Sequence, residues 1–486
     1  MGVGVAAGAV AWARSRAAVR DADPSTSGHH FHLPALSGRH RRNAHLAKVG
    51  ARSGRDYVAM RARATLATDE RRAELQAEFE LRTAEQVAEA LGHMKGALMK
   101  LGQMASYLDQ GLPEPVREAL AQLQSDAPPM APALVSQVVR SELGAEPTVV
   151  FAEWDPVPLA SASIGQVHRA RTHDGRAVAV KVQYPGVDTA IAADLANTDL
   201  LFGMLGMLFP GMDPAPIVDE LRERVVEELD YRIEADHQRL FAAAYAGHPF
   251  IHVPGVLDEL STRRVLTTEL AEGARFAEVQ SWPDDERQLA AETLYRFAFG
   301  SIYNLGAFNG DPHPGNYLFR PGGRVTFLDF GLCKRFSDDE VKVFVEMIQA
   351  IVLDRDVPGF RRVLEGVGIL PGGVTASDDE VFEYFGHFYE FVLDDAEMEM
   401  TPEYSSESVR RFFDLTGPHA ELMKQANLPP SMVIIQRINL GLYALFGDLG
   451  ARNNWRRIAE ELWPFVDAGP ATPMGERIAR WEHTRA

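Results

Sequence analysis

The chain has 486 residues but only one cysteine, Cys333. A single cysteine excludes an intramolecular disulfide framework and a zinc site built from several cysteines, and it fits a reducing compartment. Long apolar runs are also absent: Met1–Trp12 has twelve residues and Leu200–Phe209 has ten, whereas a membrane-spanning helix needs about 20. We therefore expect no transmembrane helix. We also expect no secretory signal, because the basic residues follow the first apolar run instead of preceding it.

Basic residues are too few for a general nucleic-acid binder. The chain holds 49 Lys/Arg against 68 Asp/Glu, a formal net charge of −19, and binding to phosphate backbones needs clustered Lys and Arg. Only the first 63 residues are basic, with eleven Lys/Arg and three Asp/Glu. Their composition favours a solvated arm, with contact to an anionic membrane surface or nucleic acid as the alternative. We expect a cytoplasmic protein with no specific nucleic-acid partner, or one peripherally bound to a membrane.

Changes of pattern along the chain predict five regions. Apolar residues make up 46% of the chain, which is enough for a large core. The regions are a basic, largely disordered arm (1–65), an N-terminal helical extension (66–145), an N-lobe of strands with a helical insertion (146–272), a helical C-lobe (273–466) and a charged tail (467–486).

The strand candidates predict a small antiparallel sheet followed by a mostly helical half. Gln166–Arg171 and Ala177–Gln183 flank His173-Asp174-Gly175, and Asp-Gly between β-rich runs is a strong hairpin signal. The other expected elements are helices at Val135–Leu143, 187–208 and 214–244, an apolar run at Val149–Trp154, and strands at Ile251–Val256, Arg264–Glu269, Asn316–Arg320 and Val325–Phe330. This order predicts the α+β class with a two-lobed, kinase-like fold.

A lysine and a glutamate supply the first chemical signal. Lys181 follows Val178-Ala179-Val180 on the outgoing strand of the hairpin, where an ammonium can neutralise nucleotide phosphates if a carboxylate holds it. Glu234 lies on the next strongly helical stretch, four residues after Asp230, so we expect both on one helical face. Taken alone, each residue also fits a solvated strand end or helix face.

Two further motifs follow in the order of a phosphotransferase site. Asp311 and Asn316 have the D-x-x-x-x-N spacing of a catalytic loop, in which the Asp orients or deprotonates the acceptor and the Asn binds a metal. Asp329-Phe330-Gly331 ends an apolar strand, and an Asp in that place is typical of a magnesium site. Four motifs in order predict an ATP-binding kinase-like core.

One element of ordinary protein kinases is missing. No G-x-G-x-x-G precedes the lysine strand, and the segment Pro158–His168, rich in Ala and Ser, stands in its place. Ala and Ser are stiffer than Gly. We expect this turn to offer backbone N–H groups to phosphate with an altered placement.

These residues make the sequence resemble the UbiB family of atypical kinases, also called AarF-domain kinase-like proteins. Three features that ordinary protein kinases lack support the resemblance. They are S-I-G-Q-V-H at Ser163–His168, K-x-G-Q at Lys100–Gln103, and E-x-D at Glu228–Asp230. The resemblance covers about residues 85–465.

The resemblance implies the cofactors ATP and Mg²⁺ and a role for each motif. Asp311, Lys181 and Glu234 would be catalytic, with Lys181 paired to Glu234, and Asn316 and Asp329 would hold the metal. The nucleotide would be bound by Ala160, Ser161, Ala162, Ser163, Gly165, Lys181 and Glu269. The regulatory residues would be Lys100, Gly102 and Gln103 on the extension, with Glu228 and Asp230 as the carboxylates that Lys100 meets.

The resemblance also implies a role in isoprenoid-quinone biosynthesis or isoprenoid-lipid handling, with an isoprenoid lipid or quinone precursor as partner. The favoured hypothesis is that the protein is an ATPase or a small-molecule kinase. A non-catalytic ATP-binding scaffold or lipid-binding pseudokinase is the alternative, and a true protein kinase is third because the K-x-G-Q extension would obstruct a peptide. Many relatives end in transmembrane helices, and we expect none here.

Two hypotheses concern segments outside the nucleotide motifs. The apolar helix around Leu200–Phe209 either packs on the body or meets a bilayer or isoprenoid. Lys100 and Gln103 share one helical face, and we expect Lys100 to bridge the extension to Glu228 or Asp230, because a buried charge without a partner is costly.

Overall fold

The computed structural model describes residues 131–162, 164–187, 227–413, 417–426 and 430–485. The predicted basic arm, the K-x-G-Q motif at Lys100–Gln103, the segment Leu200–Phe209 and Ser163 therefore lie outside the described residues. So do nearly all of the first expected helix of the insertion, 187–208, and the first part of the second, 214–226.

The first half of the described chain alternates short strands with three helices. In chain order its elements are α1 (Pro132–Leu143), α2 (Pro147–Val150), β1 (Glu153–Ala162), β2 (Gly165–Arg171), β3 (Ala177–Gln183), α3 (Tyr231–Ala244), β4 (Ile251–His252) and β5 (Val265–Glu269).

The second half is mostly helical, with short strands between the helices. Its helices are α4 (Phe276–Val279), α5 (Asp284–Leu305), α6 (Asp338–Ile348), α7 (Val357–Gly366), α8 (Asp378–Gly386), α9 (Glu390–Leu393), α10 (Pro402–Phe413), α11 (Ala420–Gln425), α12 (Pro430–Leu449), α13 (Trp455–Leu462) and α14 (Pro473–His483). Its strands are β6 (Ala307–Asn309), β7 (Tyr317–Arg320), β8 (Arg324–Phe327), β9 (Cys333–Arg335), β10 (Met398–Met400) and β11 (Ala451–Asn453).

The predicted α+β class and kinase-like order of elements are confirmed. Strands β1, β2, β3 and β5 form one antiparallel sheet in that order. The Asp-Gly hairpin is present, since Arg171 pairs with Ala177 across it and Gly175 has a φ of 92°, which an L side chain rarely adopts. Helix α1, predicted from Val135 to Leu143, packs on this sheet through Val135, Val138 and Val139.

One strand expectation needed correction, and one apolar run spans two elements. The apolar run Val149–Trp154 is divided between the end of α2 and the start of β1. The strand expected at Ile251–Val256 is only two residues long and pairs in parallel with β8. Pro254 and Gly255 follow it at once, and proline cannot donate to a strand ladder.

The helix with Glu234 begins later than the pattern suggested. Asp230 has extended backbone angles and is the N-cap of α3, where its side chain accepts a hydrogen bond from the backbone N–H of Arg232. Asp230 and Glu234 therefore do not share a helical face, and that prediction was wrong. The physical reason is that a carboxylate satisfies the first N–H groups of a helix better than it propagates the helix.

The segment expected to be a charged tail contains a helix in the structure. Thr472 caps α14 through a hydrogen bond from the backbone N–H of Gly475, and Pro473 occupies the first helical position, where its fixed φ is favourable. Met474 of this helix is 2% exposed, so α14 is part of the body.

Candidate functional site

Lys181 is the centre of the candidate site. Strand side chains alternate, so Val178, Val180 and Val182 enter the core beneath α1 and Lys181 faces the other way. Its Nζ lies 2.7 and 2.9 Å from the two carboxylate oxygens of Glu234 on α3. It also lies 3.3 Å from Oδ2 of Asp329. One cation thus joins the sheet, the helix and the Asp-Phe-Gly segment.

The electrostatics of this cluster keep the lysine charged. The side chains of Lys181 and Glu234 are 16% and 6% exposed, and that of Asp329 is 31% exposed. Burial by itself lowers the pKa of Lys181, but the carboxylates of Asp329 and Glu234 outweigh burial and hold that pKa well above its ordinary value. Burial raises the pKa of Glu234 in spite of the lysine. Because Asp329 is the most exposed of the three side chains, it is the carboxylate best placed to contact a ligand in addition to Lys181.

Tyr231 and Gly165 form the floor of the site. The Nζ of Lys181 lies 5.1 Å from the centroid of the Tyr231 ring, a distance at which a cation is attracted to the ring face. A Cβ at position 165 would come within 2.4 Å of the Val182 carbonyl oxygen and 2.8 Å of the Tyr231 hydroxyl. Only glycine allows β2 to approach that closely, so Gly165 has a packing role whatever its role toward nucleotide.

The Ala/Ser segment is more regular than the open turn that we expected. Ala160, Ser161 and Ala162 are paired with Val167, Gln166 and Gly165 in the β1–β2 ladder. Only positions 163 and 164 connect the strands, and Ser163 lies outside the described residues. The reason is that alanine and serine tolerate extended backbone, whereas glycine would lose more conformational freedom there.

The S-I-G-Q-V-H motif builds the base of this hairpin. His168 is fully buried, and its Nδ1 donates to the carbonyl oxygen of Asp155 at 2.9 Å. Its Nε2 then accepts from the Gln166 side-chain amide at 2.8 Å, and its ring stacks on Trp154 with centroids 4.7 Å apart. Burial lowers the pKa of His168, so the ring is neutral and structural.

The Asp311–Asn316 loop is held in a fixed shape. The Asn316 side-chain amide donates to Oδ2 of Asp311 at 3.0 Å and to its carbonyl oxygen at 3.2 Å. Strand β6, which leads into the loop, pairs with β9 just after the Asp-Phe-Gly segment. The backbone N–H of Leu328 donates to the Asn316 carbonyl at 3.0 Å. The two motifs are therefore anchored to each other.

The Asp-Phe-Gly segment follows directly after β8. Oδ1 of Asp329 accepts from the Gly331 N–H at 2.9 Å. The Asp329 carbonyl accepts from the Asn309 side-chain amide at 2.8 Å. Phe330 is fully buried and lies 5.1 Å from Phe241 of α3, centroid to centroid. The helix that carries Glu234 and the segment that carries Asp329 therefore share one core contact.

The donor set fits Mg²⁺. The Asn316 amide N–H₂ is directed at Asp311, which leaves its carbonyl oxygen as an acceptor, and Asp329 supplies a partly exposed carboxylate. Mg²⁺ prefers oxygen ligands of this kind. Within the described ranges no group of three or more His, Cys, Asp or Glu side chains could hold a metal alone. Phosphate oxygens and water would therefore have to complete its coordination.

The remaining expected site residues lie at the edges of this arrangement. Glu269 is the last residue of β5, and its carboxylate accepts from the backbone N–H of Gly255 at 3.0 Å. Glu228 is 9% exposed, just before the N-cap Asp230. Asp230 pairs with Arg232 at 2.5 Å. One carboxylate oxygen of Glu269 and its backbone N–H are thus both bonded to Gly255 within the protein.

Sequence reasoning missed three residues that support the site. Tyr231 lies beneath Lys181, the Asn309 amide holds the Asp329 carbonyl, and the Nδ1 of His237 donates to the Phe330 carbonyl at 3.2 Å. A signal existed for two of them: Tyr231 follows the E-x-D motif directly, and Asn309 comes two residues before Asp311. His237 stands on the same helical face as Glu234, three residues on.

The lysine–glutamate pair, the Asp–Asn loop and the Asp-Phe-Gly segment on this sheet and helix define the class of kinase-like folds. The family model of the ABC1 atypical kinase-like domain matches residues 122–363. The structure of an erythromycin complex of Rv3197 from Mycobacterium tuberculosis is similar, with a TM-score of 0.59 and 33% identity. The match covers 81% of this chain and 98% of that one.

Two curated relatives match a shorter stretch. Atypical kinase COQ8B, mitochondrial, from Rattus norvegicus is 34% identical over 269 residues, 55% of this chain and 51% of that protein. AarF domain-containing protein kinase 1 from Mus musculus is 32% identical over 296 residues, 59% of this chain and 56% of that protein. The chain thus spans about half the length of these relatives.

The chain belongs to the ABC1 atypical kinase-like family, the UbiB or AarF-domain family, as its motifs indicated. In the part of the chain that the structure covers, no helix has the length and apolarity needed to cross a membrane.

Proposed function

We propose that this protein binds ATP with Mg²⁺ and is an ATP-dependent phosphotransferase or ATPase of the UbiB type. The observation that carries the proposal is the position of Lys181, 2.7 Å from Glu234 and 3.3 Å from Asp329. This cation is charged, held rigidly and adjacent to a partly exposed carboxylate. Such an arrangement suits a polyphosphate with its metal ion.

Each residue has a definite part in this proposal. Lys181 neutralises phosphate charge and Glu234 orients its ammonium. Asp329 and Asn316 hold Mg²⁺, which supplies charge neutralisation at the phosphate oxygens. Asp311, fixed by the Asn316 amide, orients or accepts the proton of the attacking hydroxyl or water. The hairpin residues Ala160, Ser161, Ala162, Ser163 and Gly165 cover the phosphates, and Glu269 at the end of β5 contacts the nucleotide.

The cellular role that we propose is support of isoprenoid-quinone biosynthesis or isoprenoid-lipid handling, with peripheral membrane contact. Family membership is the support for this role. We also propose that Lys100, Gly102 and Gln103 regulate the site through Glu228 and Asp230. Lys100 would then share Asp230 with Arg232, which already contacts it.

A second candidate is a nucleotide-binding scaffold without turnover. The observation that favours it is the paired hairpin end, because Ala160 and Ala162 lie in a strand ladder, where half of the backbone N–H groups are used between strands. Fewer donors would then reach the γ-phosphate. ATP would be bound but poorly oriented for transfer.

Formation of ADP by the purified full-length chain separates the two candidates. We expect Mg²⁺-dependent ADP release, measured with and without lipid vesicles, and a loss of about a hundredfold in Asp311→Asn, because general-base catalysis contributes roughly 10²–10⁴ in rate. Binding of Mg-ATP by Asp311→Asn should persist in calorimetry. Binding without ADP release in the wild-type protein would favour the scaffold.

A further inference from the structure

A cavity of about 420 Å³ lies at the C-terminal end of α3. It begins beside Ala244, ten residues after Glu234, which is about 15 Å along the helix axis. Its wall is mainly aromatic and apolar and includes Tyr245, His248, Ile251, Leu305, Leu462 and Trp481. This volume and this kind of lining are typical of small-molecule sites.

The walls of the cavity are tied together. Arg485, just after α14, donates through its two terminal nitrogens to the carbonyl oxygens of Ala244 and Ala243, the last residues of α3. The guanidinium thereby caps the negative end of the helix. Trp481 packs edge to face on His248 with centroids 4.6 Å apart. These contacts fix α14 on α3 along one side of the cavity.

His248 lines the cavity together with the amide of Asn304, and the tautomer of its ring is defined. Its Nδ1 accepts from the backbone N–H groups of Ile251 at 2.8 Å and Phe250 at 3.2 Å. The ring proton must then be on Nε2. Burial, followed by the charges of Arg296 and Arg485, lowers the pKa of His248 to about 3, so the ring stays a neutral donor at physiological pH.

The charges around the cavity disfavour an ionic occupant. Arg296 is matched by Glu292 and Glu461 at 2.8 Å each, and Arg485 is engaged with the carbonyls of α3. Glu482 adds a carboxylate to the lining, and burial raises its pKa. An ion of either sign would therefore meet a like charge as well as an opposite one in this lining, at Glu482 and Arg485. A neutral ligand avoids both.

We propose that this cavity is a second ligand site, separate from the nucleotide site, for a small neutral aromatic molecule that carries a carbonyl oxygen. The aromatic wall would hold the rings through offset or edge-to-face contacts. The Nε2–H of His248 would donate to the carbonyl oxygen. The proposal depends on the cavity alone and holds whether or not the protein turns over ATP.

Benzophenone is a suitable probe, because it is a neutral aromatic ketone that also forms covalent adducts under ultraviolet light. We expect saturation-transfer NMR to detect its binding to the full-length protein, and photolabelling with peptide mapping to place adducts on the segments of Tyr245–Ile251 or α14. Adducts only elsewhere, or no saturable binding, would overturn the proposal.

Matched variants and ligands sharpen the test. Ala244→Trp should fill the cavity and abolish labelling, whereas Ala243→Trp, on the neighbouring exposed alanine, should not. His248→Asn keeps an acceptor near the Nδ1 position but removes the Nε2 donor, so benzophenone should bind about fivefold more weakly. Diphenylmethane, which lacks the carbonyl, should bind both proteins equally. An equal loss for both ligands would show that the histidine is not the donor.

Discussion

Lys181 and Arg296 each lie between two carboxylates, yet the surroundings of these two clusters differ. Both clusters have the same formal charges and contacts of 2.7–3.3 Å. The first is Lys181 with Glu234 and Asp329, and the second is Arg296 with Glu292 and Glu461.

The arginine cluster is closed. Arg296 is 3% exposed, and its guanidinium makes a two-point contact with Glu461 at 2.8 and 3.1 Å. Thr472 donates to Glu292 and the backbone N–H of Ala471 donates to Glu461. These bonds join α5, α13 and the start of α14. A cluster so fully hydrogen-bonded has little capacity left for a ligand.

The lysine cluster is open on one side. Asp329 is 31% exposed, and an ammonium is a point charge that can turn toward a phosphate, unlike a planar guanidinium fork. The comparison teaches that the charge pattern alone does not distinguish a structural cluster from a binding site. The two kinds of cluster are distinguished by the exposure of one member and by whether the hydrogen bonds of that member are already satisfied within the protein.

The largest expected effect is the loss of folding stability when the cation of the arginine cluster is removed. Arg296→Met should lower the free energy of unfolding by roughly 3–5 kcal/mol, because it leaves two buried carboxylates without their cation. Chemical denaturation would measure the loss. Arg452→Met is the matched control, since Arg452 is 44% exposed in its pairs and exposed pairs contribute about 0–1 kcal/mol. Equal losses in both variants would contradict the distinction between buried and exposed clusters.

In the lysine cluster, nucleotide affinity and folding stability should respond differently to substitutions. Lys181→Met should weaken nucleotide binding about tenfold or more, because a charge-assisted contact is lost, and it should also destabilise the fold by leaving Glu234 buried. Adding Glu234→Gln should restore much of the stability but none of the nucleotide affinity. Calorimetry and thermal denaturation of the single and double variants give the two readouts. Recovery of both properties together would show that the pair is only structural.

The floor of the lysine site should tolerate no added methyl group. Gly165→Ala should cost about 1–3 kcal/mol of stability, the usual range for overpacking, because the new Cβ would meet the Val182 carbonyl and the Tyr231 hydroxyl. Gly144→Ala is a useful contrast: nothing lies within 4 Å of its Cβ position, so only its φ of 84° opposes the change. An unchanged melting temperature in Gly165→Ala would show that the close approach of β2 is not required.

The smallest effect concerns pH near the arginine cluster. The pKa of His248 is about 3 in the folded protein against about 6.5 when unfolded. Below pH 6.5 the unfolded chain therefore binds a proton that the folded protein does not. Stability should fall by about 1 kcal/mol between pH 7 and 5.5. His248→Asn should reduce this slope. Identical slopes in wild type and His248→Asn would contradict the assignment.

The sequence was most informative where chemistry restricts residue choice. The hairpin at Asp174-Gly175, the lysine strand and the order of Asp311, Asn316 and Asp329 were all predictable, because each depends on local spacing. The partner of Lys181 was harder to identify, since Glu234 lies 53 positions away and several acids precede it on the same stretch. The family resemblance, not periodicity, selected Glu234.

Features set by tertiary contacts could not be predicted. Asp is a favoured N-cap residue, but the acidic run Glu227–Asp230 also fits the interior of a helix. Nothing local shows that the alanines at 160 and 162 pair with β2. The helix α14 was not predicted for a similar reason. Its cap Thr472 and its buried Met474 are held in place by contacts with Arg296 and Thr293 of α5, which are distant in sequence. The arginine cluster was not predicted either, because its three members lie on two helices far apart in sequence.

The most direct test of the central claim is a calorimetric titration of ATP into wild type and Asp329→Asn, with and without Mg²⁺. We predict that Mg²⁺ tightens binding to the wild type and that Asp329→Asn loses about a hundredfold in Mg²⁺-dependent affinity, because the metal loses its carboxylate. Asp285→Asn, exposed at the start of α5, should bind as the wild type does. Wild-type affinity for Mg-ATP in a folded Asp329→Asn would contradict the assignment of the open cluster as the nucleotide site.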